Sequence, residues 1–320
     1  MGVLFGPVLS RRLGRSLGVD MVPYKTCSFN CVYCELGRTT CQTLQRKSFL
    51  DAGLVIEELK ERLAQLAGEV DYITLAGSGE PTLNADLGDL VARIRELTAT
   101  PIAVLTNSSL LPDPEVRKEL HGVDLIVPSL DAVTQKVFEQ VNLPLEGISA
   151  GEILESLIRL RKEFPGQIWL EILFCRGIND HQAEVEHLVK AVQAIAPDQI
   201  QLNTVVRPPA FQGIMPSPPE RLAQIAALLG PRAVVVGQYC PGRGDISRSR
   251  SLRKRILEML KRRPCTLDEI AQSAGMHTAG MQPDEVHLAE LVKVLDELVQ
   301  SHLLTVRVHE GQTYYQAHGE

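Results

Sequence analysis

The chain has 320 residues, 44% of them hydrophobic and 22% charged, a globular composition that excludes global disorder and allows a core without staples. Its 33 basic and 39 acidic side chains give a net charge of −6, so nothing global points to nucleic acid or to an anionic membrane. No apolar run approaches the roughly 18 residues of a membrane helix, and seven cysteines, an odd count, predict free thiols in a reducing cytoplasm rather than a disulfide scaffold.

The opening "MGVLFGPVLSRR" places its basic residues after a very short apolar run, the wrong order for a secretory leader. The first predicted strand is "LGVDMV" (17–22). It leads into "YKTCSFNCVYCELG" (24–37), which crowds Cys27, Cys31 and Cys34 into a C-x3-C-x2-C pattern with Tyr33 before the last thiol. Apolar residues at helical spacing predict an amphipathic helix over 54–68. The second strand, "VDYITLAG" (70–77), runs into "GSGEPTL" (77–83). Here Gly77 and Gly79 let backbone approach a ligand, Ser78 adds a hydroxyl, Glu80 offers an acceptor to an ammonium, and Pro81 stiffens the exit.

Three more strands follow: "PIAVLT" (101–106), closing on "TNSS"; "VDLIVPSL" (123–130), closing on "PSLDA"; and "QIWLEILF" (167–174), closing on Cys175. After an amphipathic helix at 181–196 come "DQIQLNTV" (198–205) and "AVVVG" (233–237), trailed by Arg207 and Cys240 respectively. Strand–helix alternation at this spacing predicts βαβ units and a parallel sheet, six or seven of them forming a full or partial barrel. Functional groups then gather beyond the C-terminal ends of the strands. The segment "CPGRGDISRSR" (240–250) reads as a linker, after which the period changes to three helices and a hairpin with Gly311 near its turn. The predicted organisation is an α/β barrel domain over 1–240, a linker over 241–251 and a winged-helix domain over 252–320.

Three thiolates cannot close a structural zinc site, which takes four ligands. They do suit an iron–sulfur cluster with one iron left open. A zinc knuckle finished by a remote Cys or His, or three unrelated thiols, remain the alternatives at this level. With no other close-set cysteines, a complete auxiliary cluster is not expected.

"CSFNCVYC" resembles the signature loop of the radical S-adenosylmethionine (radical SAM) superfamily, with Tyr33 in its aromatic slot, and residues 1–240 resemble that superfamily's partial (β/α)6-type barrel. The preceding "FGPVLSRRLGRSLGVDMVPYKTC" resembles an uncharacterised subgroup distantly similar to tRNA wyosine-base synthases. The resemblance implies that Cys27, Cys31 and Cys34 hold a [4Fe–4S] cluster whose fourth iron is chelated by S-adenosyl-L-methionine, with Tyr33 presenting its ring edge or backbone to the adenine. It assigns Gly77, Ser78, Gly79 and Glu80 to the turn beside the cofactor's amino group. Asn107, Ser129 and Asp131 are then candidates for its ribose and methionine parts, although such residues after strands are also common helix caps. The implied activity is formation of a 5′-deoxyadenosyl radical that abstracts hydrogen from an unidentified substrate. A flavodoxin- or ferredoxin-like partner would supply one electron.

Cys175, Cys240 and Arg207 are candidates to face the substrate, and a lone Cys at such a site is more often simply buried. The arginines 11, 12, 15, 38, 176 and 207 predict an anionic substrate if they converge. The expected recognition helix of the winged helix carries Asp284, Glu285, Glu290, Asp296 and Glu297 against Lys293, so DNA binding is disfavoured, while the basic first helix leaves RNA backbone contacts open. A competing reading is an iron–sulfur or zinc regulator acting through the winged helix without radical chemistry.

Overall fold

The computed structural model describes residues 3–10, 12–66, 68–236, 256–257, 259–273 and 285–317; Cys240 and the expected linker lie outside them. The chain opens with an antiparallel hairpin of β1 (Leu4–Ser10) and β2 (Gly14–Asp20). A long loop follows, pinned by the two-residue parallel pair β3 (Thr26–Cys27) and β4 (Cys41–Gln42), and leads to α1 (Ala52–Leu66). Strands and helices then alternate: β5 (Tyr72–Ala76), α2 (Leu87–Leu97), β6 (Ile102–Thr106), α3 (Pro114–Glu119), β7 (Leu125–Pro128), α4 (Gln135–Asn142) and α5 (Ala150–Glu163). The series ends with β8 (Gln167–Phe174), α6 (Gln182–Ile195), β9 (Gln199–Thr204), α7 (Pro219–Leu229) and β10 (Ala233–Val235).

The strands form one sheet in the order β1-β2-β5-β6-β7-β8-β9-β10, and every pair from β2 onward is parallel. Spatial order equals chain order, so each βα unit steps the same way and the sheet curls as a barrel does, ending open at β1 and β10. The strand β1 is not signalled by the sequence, because "LFGPVLS" carries Gly6 and Pro7 in its middle. An edge strand tolerates both.

Strand β8 shows how the layers arise: its residues alternate between buried and partly buried, with Ile168, Leu170, Ile172 and Phe174 facing the helices. They pack with Leu17, Val19, Ile73, Leu75 and Ile126 from the sheet and with Val55, Leu59, Ile94, Leu157 and Leu188 from the helices. Burying each such side chain contributes roughly 1.5–3 kcal/mol. The opposite face lines the barrel lumen. At one end Leu13, Ala103, Leu125 and Val127 close it with help from Tyr72 and Trp169. Above that plug the lumen turns polar, with Ser16 and Thr74 hydroxyls 2.6 Å apart and Asn203 Nδ2 donating to Glu171 Oε1 at 3.1 Å.

The C-terminal unit comprises helical residues at 256–257 and 259–260, α8 (Leu267–Ser273), α9 (Glu285–Gln300) and the antiparallel hairpin β11 (Leu304–His309) and β12 (Gln312–Ala317). Glu310 and Gly311 take φ of 48° and 75° at the hairpin turn, as a two-residue loop of this hand requires. Its separate core gathers Ile256, Leu260, Ile270, Leu291, Leu295, Leu298 and Leu304. It docks on the barrel mouth through Arg262, whose Nη1 pairs with Asp20 Oδ2 at 2.8 Å, and Tyr314, whose hydroxyl donates to Val206 O at 2.7 Å.

Candidate active site

Successive strand ends build one rim. The loop after β2 carries the three cysteines, and its course is set by backbone pairing. Thr40 and Cys41 N–H groups donate to Lys25 O, Thr43 N–H donates to Cys27 O, and Asn30 and Val32 N–H groups donate to the carbonyls of Asn142 and Val141 at the end of α4. Each sulfur accepts from a side-chain nitrogen. Lys25 Nζ donates to Cys34 Sγ at 3.1 Å, Asn107 Nδ2 to Cys27 Sγ at 3.4 Å, and Asn142 Nδ2 to Cys31 Sγ at 3.4 Å. Burial, then the Glu80 carboxylate, pushes the Cys27 thiol up to about 11. Burial followed by Asp131, Cys27 and Cys34 raises the Cys31 thiol well above its ordinary value, so the three thiols are close enough to feel one another's charge. The raised values of Cys27 and Cys31 favour their protonated forms, so a cationic ligand must displace those protons.

The turn after β5 is stitched to this loop. Ser78 N and Oγ donate to the two oxygens of Asp20 at 2.8 and 2.7 Å; Lys25 N–H donates to Ser78 O and Glu80 N–H to Thr26 O. A Cβ on Gly79 would lie 1.8 Å from Thr26 O, and one on Gly77, whose φ is +120°, would lie 2.1 Å from Asp20 Oδ1. The close approach that these glycines permit is thus to the chain's own cysteine loop, while Gly77, Ser78 and Gly79 also line the cavity. Glu80 does not line it. Its fully buried carboxylate accepts from Thr82 N and Oγ1, from Thr106 Oγ1 at 2.6 Å and from Asn107 N at 2.7 Å, buckling the ends of β5 and β6.

Asp131, also buried, accepts the Tyr33 hydroxyl at 2.5 Å, Asn142 Nδ2 at 2.7 Å and Leu173 N at 2.8 Å. Burial lifts its carboxyl to about 6 despite these donors. Asp131 therefore orients Tyr33, and through Asn142 it reaches Cys31. Ser129 is half-buried; its carbonyl accepts Ser108 Oγ at 2.8 Å. The structure thus brings Tyr33, Asn107 and Asp131 to the cysteines through hydrogen bonds. Lys25, Asp20 and Asn142 complete the network, and sequence reasoning did not find them. A lysine two residues before a cysteine cluster was the available signal.

The substrate-facing candidates fare differently. Cys175 is fully buried in the core, its N–H held by Asn179 Oδ1 at 2.7 Å, so it does not face the cavity. Arg207 lines the cavity, but its guanidinium is spent on the chain itself: Nη1 on Glu35 at 2.9 Å, Nη2 on Glu269 at 2.6 Å and Nε on Pro264 O at 3.0 Å. It ties the residue after Cys34 to the C-terminal unit. Arg176 is exposed, Arg38 stacks 4.2 Å from the Phe211 ring centroid, Arg15 pairs with Asp71, and Arg11 lies outside the described residues. Arg12 lines the cavity as well, paired with Glu171 at 2.6 Å, so of the described members of the set Arg12 and Arg207 meet there and the others do not. Beside Cys27 and Cys34 a cavity of about 850 Å³ opens, floored by the polar lumen and walled on one side by Ile256, Met259, Arg262, Arg263 and Ile270 of the C-terminal unit.

Residues 21–189 match the Radical SAM superfamily, a stretch that runs from the cysteine loop through the ends of β5, β6, β7 and β8. The chain belongs to the radical SAM superfamily. Among its relatives is a UPF0026 protein of Methanocaldococcus jannaschii, 34% identical over 71% of this chain and 71% of its own length. A Brachyspira hyodysenteriae protein named GTPase Obg is 42% identical over 64% of this chain, which spans only 30% of that protein's length. Among solved structures, a radical SAM methyltransferase from Sphaerobacter thermophilus superposes with a TM-score of 0.55 at 20% identity, covering 69% of this chain and 65% of that one, a likeness of fold.

Radical SAM enzymes use a [4Fe–4S] cluster and S-adenosylmethionine, and this chain is such an iron–sulfur enzyme. The donor set fits. Nitrogen donors aimed at each sulfur suit thiolates, and hydrogen bonds to cluster sulfurs are a means of setting potential. The regulator reading finds no support in the comparisons.

Proposed function

We propose that Cys27, Cys31 and Cys34 hold the cluster of this radical SAM enzyme and that its substrate enters the adjoining cavity to give up a hydrogen atom. The observation that carries the reading is the set of three sulfurs, each with its own nitrogen donor, beside a cavity of about 850 Å³. When bound, the cluster and S-adenosylmethionine supply one-electron cleavage of a carbon–sulfur bond to a 5′-deoxyadenosyl radical. The chain's own residues do the rest. Lys25, Asn107 and Asn142 hold the sulfurs, and the Lys25 ammonium places positive charge beside a group that becomes anionic as a ligand. Gly77, Ser78 and Gly79 line the cavity and leave room for the amino acid end of S-adenosylmethionine, while Asp131 fixes Tyr33 at the edge of its binding surface. Phe5, Val8, Leu105 and Leu173 form apolar walls that keep water and stray hydrogen donors from the reacting centre.

The C-terminal unit, read as a winged helix, serves as the outer wall of this chamber rather than as a DNA reader; α9 is acidic where a recognition helix would be basic. A flavodoxin- or ferredoxin-like protein delivers the electron at the cysteine loop. The test is anaerobic reconstitution with iron and sulfide, then dithionite and S-adenosylmethionine. The proposal expects 5′-deoxyadenosine from the wild type and none from C27A, C31A or C34A. A fully loaded cluster that yields no 5′-deoxyadenosine would overturn it.

A further inference from the structure

The charge of the cavity opposes that of the chain. Overall acidic side chains outnumber basic ones, 39 to 33. The cavity is lined instead by Arg12, Lys25, Arg62, Arg207, Arg262 and Arg263 against Glu35 and Glu171. Both of these carboxylates are already matched, Glu35 to Arg207 and Glu171 to Arg12 at 2.6 Å. Arg262 pairs with Asp20 and lies over the Phe5 ring, and Lys25 donates to Cys34. That leaves Arg62 on α1 and Arg263 in the C-terminal unit. Both are half-buried, both line the cavity, and neither makes an ion pair or side-chain hydrogen bond among the described residues. Partly burying two guanidinium groups without a counter-ion is unfavourable, and a cleft of one sign concentrates ligands of the other.

We infer that the substrate carries an oxyanion, phosphoryl or carboxylate, gripped between Arg62 and Arg263, so that the C-terminal unit supplies half of the recognition. The planar guanidinium fork matches both groups bidentately. The inference rests on the reading of this cavity as the substrate chamber. It also accounts for the way the C-terminal unit is clamped to the barrel by Arg207 and Arg262: the clamp keeps Arg263, next to Arg262, in the lining of the cavity.

The test uses the reconstituted holoenzyme saturated with S-adenosylmethionine, titrated calorimetrically with inorganic pyrophosphate and, separately, with citrate. One of the two anions is expected to bind, pyrophosphate marking a phosphorylated substrate and citrate a carboxylated one. R62Q and R263Q should each weaken that binding about tenfold or more, as loss of a charge-assisted contact does. R263K should weaken it less, and R176Q, whose side chain is exposed outside the cavity, should bind as the wild type does. Circular dichroism confirms that the variants are folded. Binding of neither anion, or equal binding by R62Q, R263Q and wild type, would overturn the inference. So would binding of the anion only to reconstituted protein without S-adenosylmethionine and not to the saturated holoenzyme, because the arginines would then be holding that cofactor's own carboxylate. The 5′-deoxyadenosine assay, run without any substrate, reports separately on the radical SAM reading.

Discussion

Replacing Gly79 with Ala probes how the cluster loop is held. The new Cβ would sit 1.8 Å from Thr26 O and 2.9 Å from Val22 Cγ2, and Thr26 is a backbone neighbour that cannot swing aside. Restoring ordinary contact requires the loop to retreat by about 1 Å in an interior packed like a crystal. Overpacking of this kind costs about 1–3 kcal/mol. The retreat also weakens the Glu80 N–Thr26 O and Lys25 N–Ser78 O hydrogen bonds, each contributing about 1 kcal/mol. A total of about 3 kcal/mol is a large share of a stability of about 5–15 kcal/mol, and it lowers the melting temperature by roughly 4–6 °C for a chain of this size. Because Cys27 adjoins Thr26, iron and sulfide incorporation should fall as well. The assay is thermal unfolding by circular dichroism, with iron and sulfide counted after reconstitution. Gly37→Ala is the control: its φ of +90° disfavours Ala, yet nothing lies within 4 Å of the added Cβ, so about 1–2 kcal/mol is expected and normal loading. A G79A protein that melts with the wild type and loads equally would refute the claim that this glycine sets the loop.

Three further outcomes are expected. Burial lifts the Asp131 carboxyl to about 6 from 3.8, so the folded state holds its proton more tightly; this contribution is full below the unfolded value and is lost as pH rises through about 6. Urea unfolding should therefore show wild-type stability falling relative to D131N between roughly pH 4 and pH 7, whereas a constant difference would contradict the assignment. Arg207→Met strands Glu35 and Glu269, which are 38% and 24% exposed, and should cost about 2–3 kcal/mol, short of the full cost of breaking a buried pair. Limited proteolysis should then release the C-terminal unit sooner, and an unchanged digestion pattern would contradict the clamp. Cys175→Ser should lose about 1–2 kcal/mol for a buried hydroxyl and keep normal 5′-deoxyadenosine formation; loss of that product with a full cluster would return Cys175 to the active site.

Much of the architecture was legible because hydrophobic period is local. Strands expected at 101–106, 123–130, 167–174 and 198–205 correspond to β6, β7, β8 and β9, and the helix at 181–196 to α6. The edge strand β1 was not, since pairing with β2 overrides its Gly–Pro centre. At the site, the cysteines and the glycine turn could be read because their spacing lies within one loop. The roles of Asn107 and Asp131 could not: each depends on a contact with the cysteine loop, 80 and 98 residues away along the chain. Arg207 looked like a substrate residue because its partners Glu35 and Glu269 are remote in sequence, and only folding shows them together. Glu171 in the middle of "QIWLEILF" was a missed sign of a polar lumen, as a lone carboxylate rarely faces a sealed barrel interior.

The most direct test of the central claim is Mössbauer spectroscopy of isotopically labelled, anaerobically reconstituted protein before and after S-adenosylmethionine is added. With three cysteine ligands, one iron of the [4Fe–4S] cluster should differ from the others and change its signal when S-adenosylmethionine binds. Four equivalent irons that ignore S-adenosylmethionine, or zinc in place of iron after equal exposure to both metals, would contradict the account.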